Sequence, residues 1–224
     1  MKRLDDNLWI QTFPLSVLGT QHGRTVTLIR LASGRSILHS MAPFSPADAA
    51  EIRALGDPSW LAEAMLLHDT YAREGRSTFP GALFLGPQGF SDTVKFPTQS
   101  LRNPPAEWAG EVEVIEILGA PRLKEHVLIH KPSRTLIVAD LIFNFRPEER
   151  GWDRFFHRYI AGFKRYPGMS RIFRACISDR AAFQNSIAQV LETDFDRIIV
   201  GHGEVIETNG RELLRRAMAD AGLL

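Results

Sequence analysis

The sequence predicts a mixed α/β (α+β) chain arranged as a four-layer αββα sandwich, two β-sheets face to face with helices on both outer sides. Two observations carry this expectation. Segments rich in alternating or β-branched residues crowd the N-terminal half, whereas helical spacings dominate the C-terminal half before one late strand returns, a distribution that suits stacked sheets covered by helices. With 224 residues and 44% hydrophobic content the chain has enough apolar surface for a sizeable core, so residues 1–224 read as one domain.

The elements follow in order. Residues 8–11, 25–31 and 36–39 read as an antiparallel set, with Ala32-Ser33-Gly34-Arg35 turning between the last two. Ser45-Pro46 supplies a cap and a first-turn proline for a helix over 46–55, with Ala49, Ile52 and Leu55 facing inward, and Gly56-Asp57-Pro58 ends it. A strand over 64–67 delivers His68, a short helix follows from Tyr71, and Phe79-Pro80-Gly81 turns into a strand over 82–85. Residues 86–110 are rich in glycine, proline and polar side chains and read as a long surface loop that covers or shapes a site.

A strand over 113–117 leads into a hairpin, 125–130 and 135–139, around a Lys131-Pro132-Ser133-Arg134 turn. His126, Leu128 and His130 share one face of its first arm, and His130, beside the turn, is expected at the surface. Beyond the hairpin, Trp152, Phe155, Phe156, Tyr159, Ile160 and Phe163 recur at helical spacings among Arg154, Arg158, Lys164 and Arg165, giving a basic, aromatic helical insert at about 147–180. Such a stripe is expected to pack on a sheet, with its arginines in water or paired with Glu148, Glu149 and Asp153. A membrane-surface contact and a homodimer contact are its competing uses. Pro167-Gly168 breaks this helix, Ser170 and Asp179 begin two more, 197–200 returns to the sheet, and Asn209-Gly210 opens a closing helix bearing Leu213, Leu214, Ala217 and Met218.

The chemistry sits where apolar runs break. Arg197-Ile198-Ile199-Val200 runs into Gly201-His202-Gly203, an imidazole between two residues that let the backbone turn sharply. Ala64-Met65-Leu66-Leu67 breaks on His68, and Thr135-Leu136-Ile137-Val138-Ala139 breaks on Asp140. If these strands lie side by side, two imidazoles and a carboxylate share one rim, which outlines a metal site.

In this order and pattern the chain resembles the metallo-β-lactamase superfamily, specifically its divergent, uncharacterised branch of domains of unknown function, from about Leu8 to the C-terminus. Ser36-Ile37-Leu38-His39-Ser40 and the following helix resemble its early strand-loop-helix unit, with His39 where the superfamily often carries an aspartate. Ala139-Asp140-Leu141 resembles the strand end with the bridging aspartate, and Gly201-His202-Gly203 the last metal histidine. The departures carry as much weight. The His-x-His-x-Asp-His signature falls on His68-Asp69-Thr70-Tyr71-Ala72-Arg73, which keeps its first histidine and places Thr70, Ala72 and Arg73 where further ligands belong. No histidine occurs near Gly119-Ala120-Pro121-Arg122, where another is usual.

One carboxylate and two imidazoles do not hold two cations tightly, and an arginine at position 73 repels a second ion without offering a lone pair. The resemblance therefore implies a degenerate dinuclear centre, with His68, Asp140 and His202 serving at most one divalent ion, zinc, iron or manganese, or none. His39, His126, Glu125 and Asp69 are candidates for a fourth ligand, and Asp69 or Glu204 for a proton acceptor.

Composition narrows the classes further. A net charge of +1 argues against nucleic acid and leaves a small-molecule ligand as the expected partner. The single cysteine, Cys176, lies in a helical stretch, reads as a packed thiol and suits a reducing cytoplasm. The start Met1-Lys2-Arg3-Leu4-Asp5-Asp6-Asn7 lacks an apolar leader core, and no run is long enough to span a bilayer. The expected function is a binding or non-hydrolytic protein on a decayed scaffold lacking the usual hydrolase chemistry; the alternative is a mononuclear metal hydrolase using His68, Asp140 and His202.

Overall fold

A computed structural model describes residues 1–145 and 151–224. The first half of the chain gives β1 (Lys2–Asp5), β2 (Leu8–Phe13), a small hairpin of β3 (Ser16–Val17) and β4 (Thr20–Gln21), β5 (Arg24–Arg30), β6 (Ser36–His39), α1 (Pro46–Leu55), β7 (Pro58–Ala62), α2 (Ala72–Thr78), β8 (Leu83–Gly86), α3 (Phe90–Val94) and β9 (Gln99–Ser100). The second half gives β10 (Val112–Glu116), β11 (His126–His130), β12 (Thr135–Ile137), α4 (Gly151–Phe155), α5 (Arg171–Ala175), α6 (Arg180–Glu192), β13 (Arg197–Ile199) and α7 (Gly210–Asp220).

The strands form two main sheets, ordered β1-β2-β5-β6-β7-β8-β9 and β10-β11-β12-β13. The first is antiparallel as far as β6 and parallel from there on; in the second, β12 and β13 pair in parallel. Strict alternation along the first sheet sorts its side chains into two cores. Leu8, Ile10, Ile29, Ile37, Trp60 and Leu85 face the second sheet, while Trp9, Val26, Leu28, Leu38, Leu61 and Phe84 pack under α1 to α3. Phe183 and Ile187 of α6 and Leu214 and Met218 of α7 complete the sheet-to-sheet core from the far side. The layers are helix, sheet, sheet, helix, as expected.

α1 forms as read. The Ser45 hydroxyl accepts from the Asp48 backbone N–H while Asp48 accepts from the Ser45 N–H, a reciprocal cap behind a first-turn proline. Asp179 and Ser170 likewise cap α6 and α5, and Cys176 ends α5, half-buried.

Four expectations need correction. The strand before His68 is Pro58–Ala62, and residues 63–71 form no strand, because the apolar run ends on Glu63 and the chain then leaves the sheet to pair with the second one. Residues 86–110 are not a surface loop: α3, β9 and a 3₁₀ turn, Ala106–Trp108, are anchored by buried Phe90, Val94, Leu101 and Trp108. His130 is buried, its Nδ1 2.6 Å from the Ser133 hydroxyl. The aromatic helix is neither continuous nor wholly packed, since α4 passes into a π turn, Phe156–Ile160, leaving Trp152, Phe155, Tyr159 and Ile160 exposed while Phe156 and Phe163 are buried. Glu148 and Glu149 lie outside the described residues. No helix among the described residues is long and apolar enough to cross a membrane.

Candidate metal centre

Three loops bring His68, Asp140 and His202 together. His68 follows β7 on a segment that has crossed to the second sheet, with the Leu66 N–H donating to Leu123 (2.9 Å) and the Ala64 carbonyl accepting from His126 N–H (2.7 Å). Asp140 sits just beyond β12. Its backbone is fixed by Glu125, a buried carboxylate that accepts from the N–H groups of Ala139 (2.9 Å), Asp140 (3.0 Å) and Leu141 (3.1 Å). His202 follows β13, where a Cβ on Gly201 would stand 2.5 Å from the Ala139 carbonyl oxygen and Gly203 adopts φ +102°, so both flanking glycines are required by close packing or backbone sign.

The donor atoms converge. His68 Nε2 and His202 Nε2 each lie 3.2 Å from Asp140 Oδ1, and one atom from each of the three side chains falls within 4.8 Å of the others. His202 Nδ1 is 2.5 Å from the Gly23 carbonyl, an oxygen that only accepts, so Nδ1 carries the proton and the lone pair of the neutral ring is on Nε2. That lone pair faces a carboxylate oxygen. In the neutral ring two acceptors so placed are satisfied by a cation between them, as where a carbonyl orients a metal-binding histidine, and a proton on Nε2 meets the same contact.

His68 has a buried Nδ1 with no hydrogen-bond partner, 3.9 Å from the equally unpartnered Glu63 Oε2. Glu63 in turn accepts from Arg24 Nη2 and from the Met41 N–H, both at 2.7 Å, and Arg24 also donates to the His68 carbonyl at 3.2 Å. Burial, then the Arg24 charge, lowers the His68 imidazole to about 4, so it is neutral at neutral pH. Burial pushes Glu63 up to about 7 against the pull of Arg24. Burial alone would raise Asp140, but the charges and hydrogen bonds of His68 and His202 outweigh it and hold the carboxyl well below its usual range.

This set fits one cation. Tetrahedral zinc with bonds of about 2.0–2.1 Å has ligand-to-ligand edges of roughly 3.3 Å, close to the two 3.2 Å separations observed. Among the described residues, no other group of histidine, cysteine and carboxylate side chains converges in this way. Of the suggested fourth ligands, His39 is buried on β6 with both ring nitrogens unpartnered and lowered to about 3 by burial and by the charges of His68 and Arg24, but it is outside the donor group. His126 turns its Nδ1 to the Lys124 carbonyl, Glu125 is committed to three backbone N–H groups, and Asp69 is exposed. Arg73 is exposed on α2; the guanidinium that reaches His68 is Arg24.

Above the three donors lies a cavity of about 230 Å³ with walls that include Leu18, Leu67, Phe143, Phe163, Ile172 and His22. Phe143 stacks on His202, ring centres 5.6 Å apart. His22 donates from Nε2 to the Thr20 hydroxyl at 2.7 Å, since that hydroxyl gives its own proton to the Val17 carbonyl, which leaves a lone pair on Nδ1. His22, Arg24 and Glu63 were not anticipated from the sequence. The signals were present in the His22-Gly23 pair and in the apolar run Trp60-Leu61-Ala62, which breaks on Glu63 five residues before His68.

No family model and no curated protein sequence matches the chain. Solved structures do. The DIM-1 metallo-β-lactamase exposed to ceftazidime is 13% identical with a TM-score of 0.67, covering 99% of this chain and 95% of that one. The chain has the metallo-β-lactamase fold. A metallo-β-lactamase from Pontibacter korlensis (9% identity, TM-score 0.64, 99% and 97% covered) and the mono-zinc form of FIM-1 from Pseudomonas aeruginosa (12%, 0.65, 99% and 95%) share it. In this metallo-β-lactamase fold, Asp140 and His202 end strands of the second sheet while His68 leaves the first, so the donors straddle the two.

Proposed function

We propose that this chain is a mononuclear metal-dependent hydrolase, binding one divalent ion through His68, Asp140 and His202. The observation that carries the reading is the His202 ring, whose Nδ1 contact with the Gly23 carbonyl turns the Nε2 lone pair toward Asp140 Oδ1 at 3.2 Å. The dinuclear site is degenerate: Thr70, Ala72 and Arg73 occupy positions where donors for a second ion would be expected. A bound divalent cation supplies Lewis acidity and lowers the pKa of coordinated water. The protein's own contribution is orientation and exclusion of bulk water. Glu125 holds the Asp140 backbone, Gly23 sets the His202 tautomer, and Phe143, Phe163 and Leu18 line a largely apolar substrate cavity. His22, with Nδ1 unprotonated, is the proton acceptor on the cavity wall.

The second reading is a binding protein on the same scaffold, favoured by the small donor set. Elemental analysis of untagged, unsupplemented protein and of His202→Ala tests the first step. One equivalent of zinc, iron or manganese in the parent and its loss from a folded variant support the proposal; no metal, or two ions per chain, overturns it. Hydrolysis of apolar aryl esters by the metal-loaded parent, abolished in the variant, separates the enzyme from the binding protein.

A further inference from the structure

A second cleft, about 380 Å³, lies beside the candidate metal cavity and shares Phe163 and Ser170 with its wall. Arg158, Lys164, Arg165, Arg171 and Arg174 line it, against a single carboxylate among the described residues, Asp220. In a chain whose net charge is only +1, five cations facing one acid among the described residues is a marked local excess. Among the described residues the Asp220 carboxylate pairs with Arg165 alone, at 2.9 Å. Three of the others donate to backbone carbonyls: Arg158 to Lys164 at 3.0 Å, Lys164 to Asp220 at 3.2 Å and Arg174 to Ala221 at 3.2 Å. These bonds fix the side chains while leaving most guanidinium N–H groups unused. Arg171 has no side-chain hydrogen bond or ion pair among the described residues, and its stem lies across Gly162, where a Cβ would collide with it.

We infer that this cleft binds a phosphate-bearing small molecule, with Arg171 and Arg174 as its principal donors. The chemistry is that of planar guanidinium groups, which pair bidentately with phosphate oxygens. Like-charged side chains gathered without a matching carboxylate repel one another, and a polyvalent anion relieves that repulsion. The open side of the cleft and its volume suit a compact anion such as pyrophosphate. The inference stands whether or not His68, Asp140 and His202 hold a metal.

The test is calorimetric titration of the full chain with pyrophosphate in the presence of a chelator, at low and at physiological ionic strength. Expected is saturable one-to-one binding that weakens with salt, by about tenfold in each of Arg171→Ala and Arg174→Ala. Lys131→Ala, an exposed lysine paired with Glu113 elsewhere, serves as the charge control and should bind as the parent does. His202→Ala should bind pyrophosphate unchanged, so that failure of the metal reading and failure of this one are told apart. Absence of saturable binding, or equal loss in Lys131→Ala, overturns the inference. So does capture of the protein by anionic phospholipid vesicles without pyrophosphate binding, which would assign the basic face to a bilayer surface instead.

Discussion

Replacing Arg24 by methionine tests the least anticipated part of the site. Arg24 and Glu63 are both buried, and above pH 7, where Glu63 is ionised, their 2.7 Å contact is the main compensation for two charges taken out of water. In Arg24→Met, Glu63 keeps a single donor, the Met41 N–H, and the His68 carbonyl loses the guanidinium. Removing one partner of a buried pair costs about 3–5 kcal/mol. For a chain of this length each kcal/mol moves Tm by about 2–4 °C, so a fall of roughly 6–20 °C is expected. The double variant Arg24→Met/Glu63→Leu removes both charges and should recover most of the loss, short of about 1–3 kcal/mol for backbone groups left unpaired. Urea and thermal unfolding in chelator, so that no ion adds to stability, give the cycle. A single variant within 1 kcal/mol of the parent, or a double variant as unstable as the two singles summed, would refute the account.

Two further outcomes follow from named contacts. In Glu125→Gln the amide keeps an oxygen for Ala139 and Leu141 but turns an NH₂ toward the Asp140 N–H, so stability should fall by about 1–3 kcal/mol and metal affinity by about 10–100-fold, read by competition with a chromophoric chelator. Ser45→Ala should cost about 1 kcal/mol by losing the cap of α1. The Ser45 hydroxyl is the chief reason the Asp48 carboxyl is held below its usual 3.8, so its contribution is present above that value and disappears as pH falls through the lowered native constant. The gap between parent and variant should therefore narrow in acid; a gap that widens between pH 5 and pH 2 would contradict the assignment.

What the sequence disclosed was local. α1 was legible because Ser45 and Pro46 write the helix start side by side, and His202 because its glycines flank it directly. The Arg24–Glu63 pair was not, since Arg24 opens β5, Glu63 lies just beyond β7 39 positions away, and each alone looks like an ordinary surface charge. His68 was singled out but placed after the wrong element: the real strand ends at Ala62, and a loop carrying buried Ala64 and Met65 has the same apolar composition as a strand. Burial of residues 86–110 was hidden because a few anchors, Phe90 and Trp108 among them, are diluted by glycine and proline. The π turn at 156–160 breaks the period of the aromatic stripe, burying Phe156 and leaving Tyr159 and Ile160 exposed, which no fixed helical period anticipates.

His202 hangs from one sheet while its ring is tethered to Gly23 at the threshold of the other, and Asp140 meets His68 across the same seam. Any shear of the two halves would be felt first as the spreading of a triangle with two 3.2 Å sides. A cation seated there would act as a rivet, so that grip on the ion and resistance of the sandwich to sliding rise and fall together. Mutations that loosen either half, however distant, would then register as weakened ion retention before any unfolding is seen.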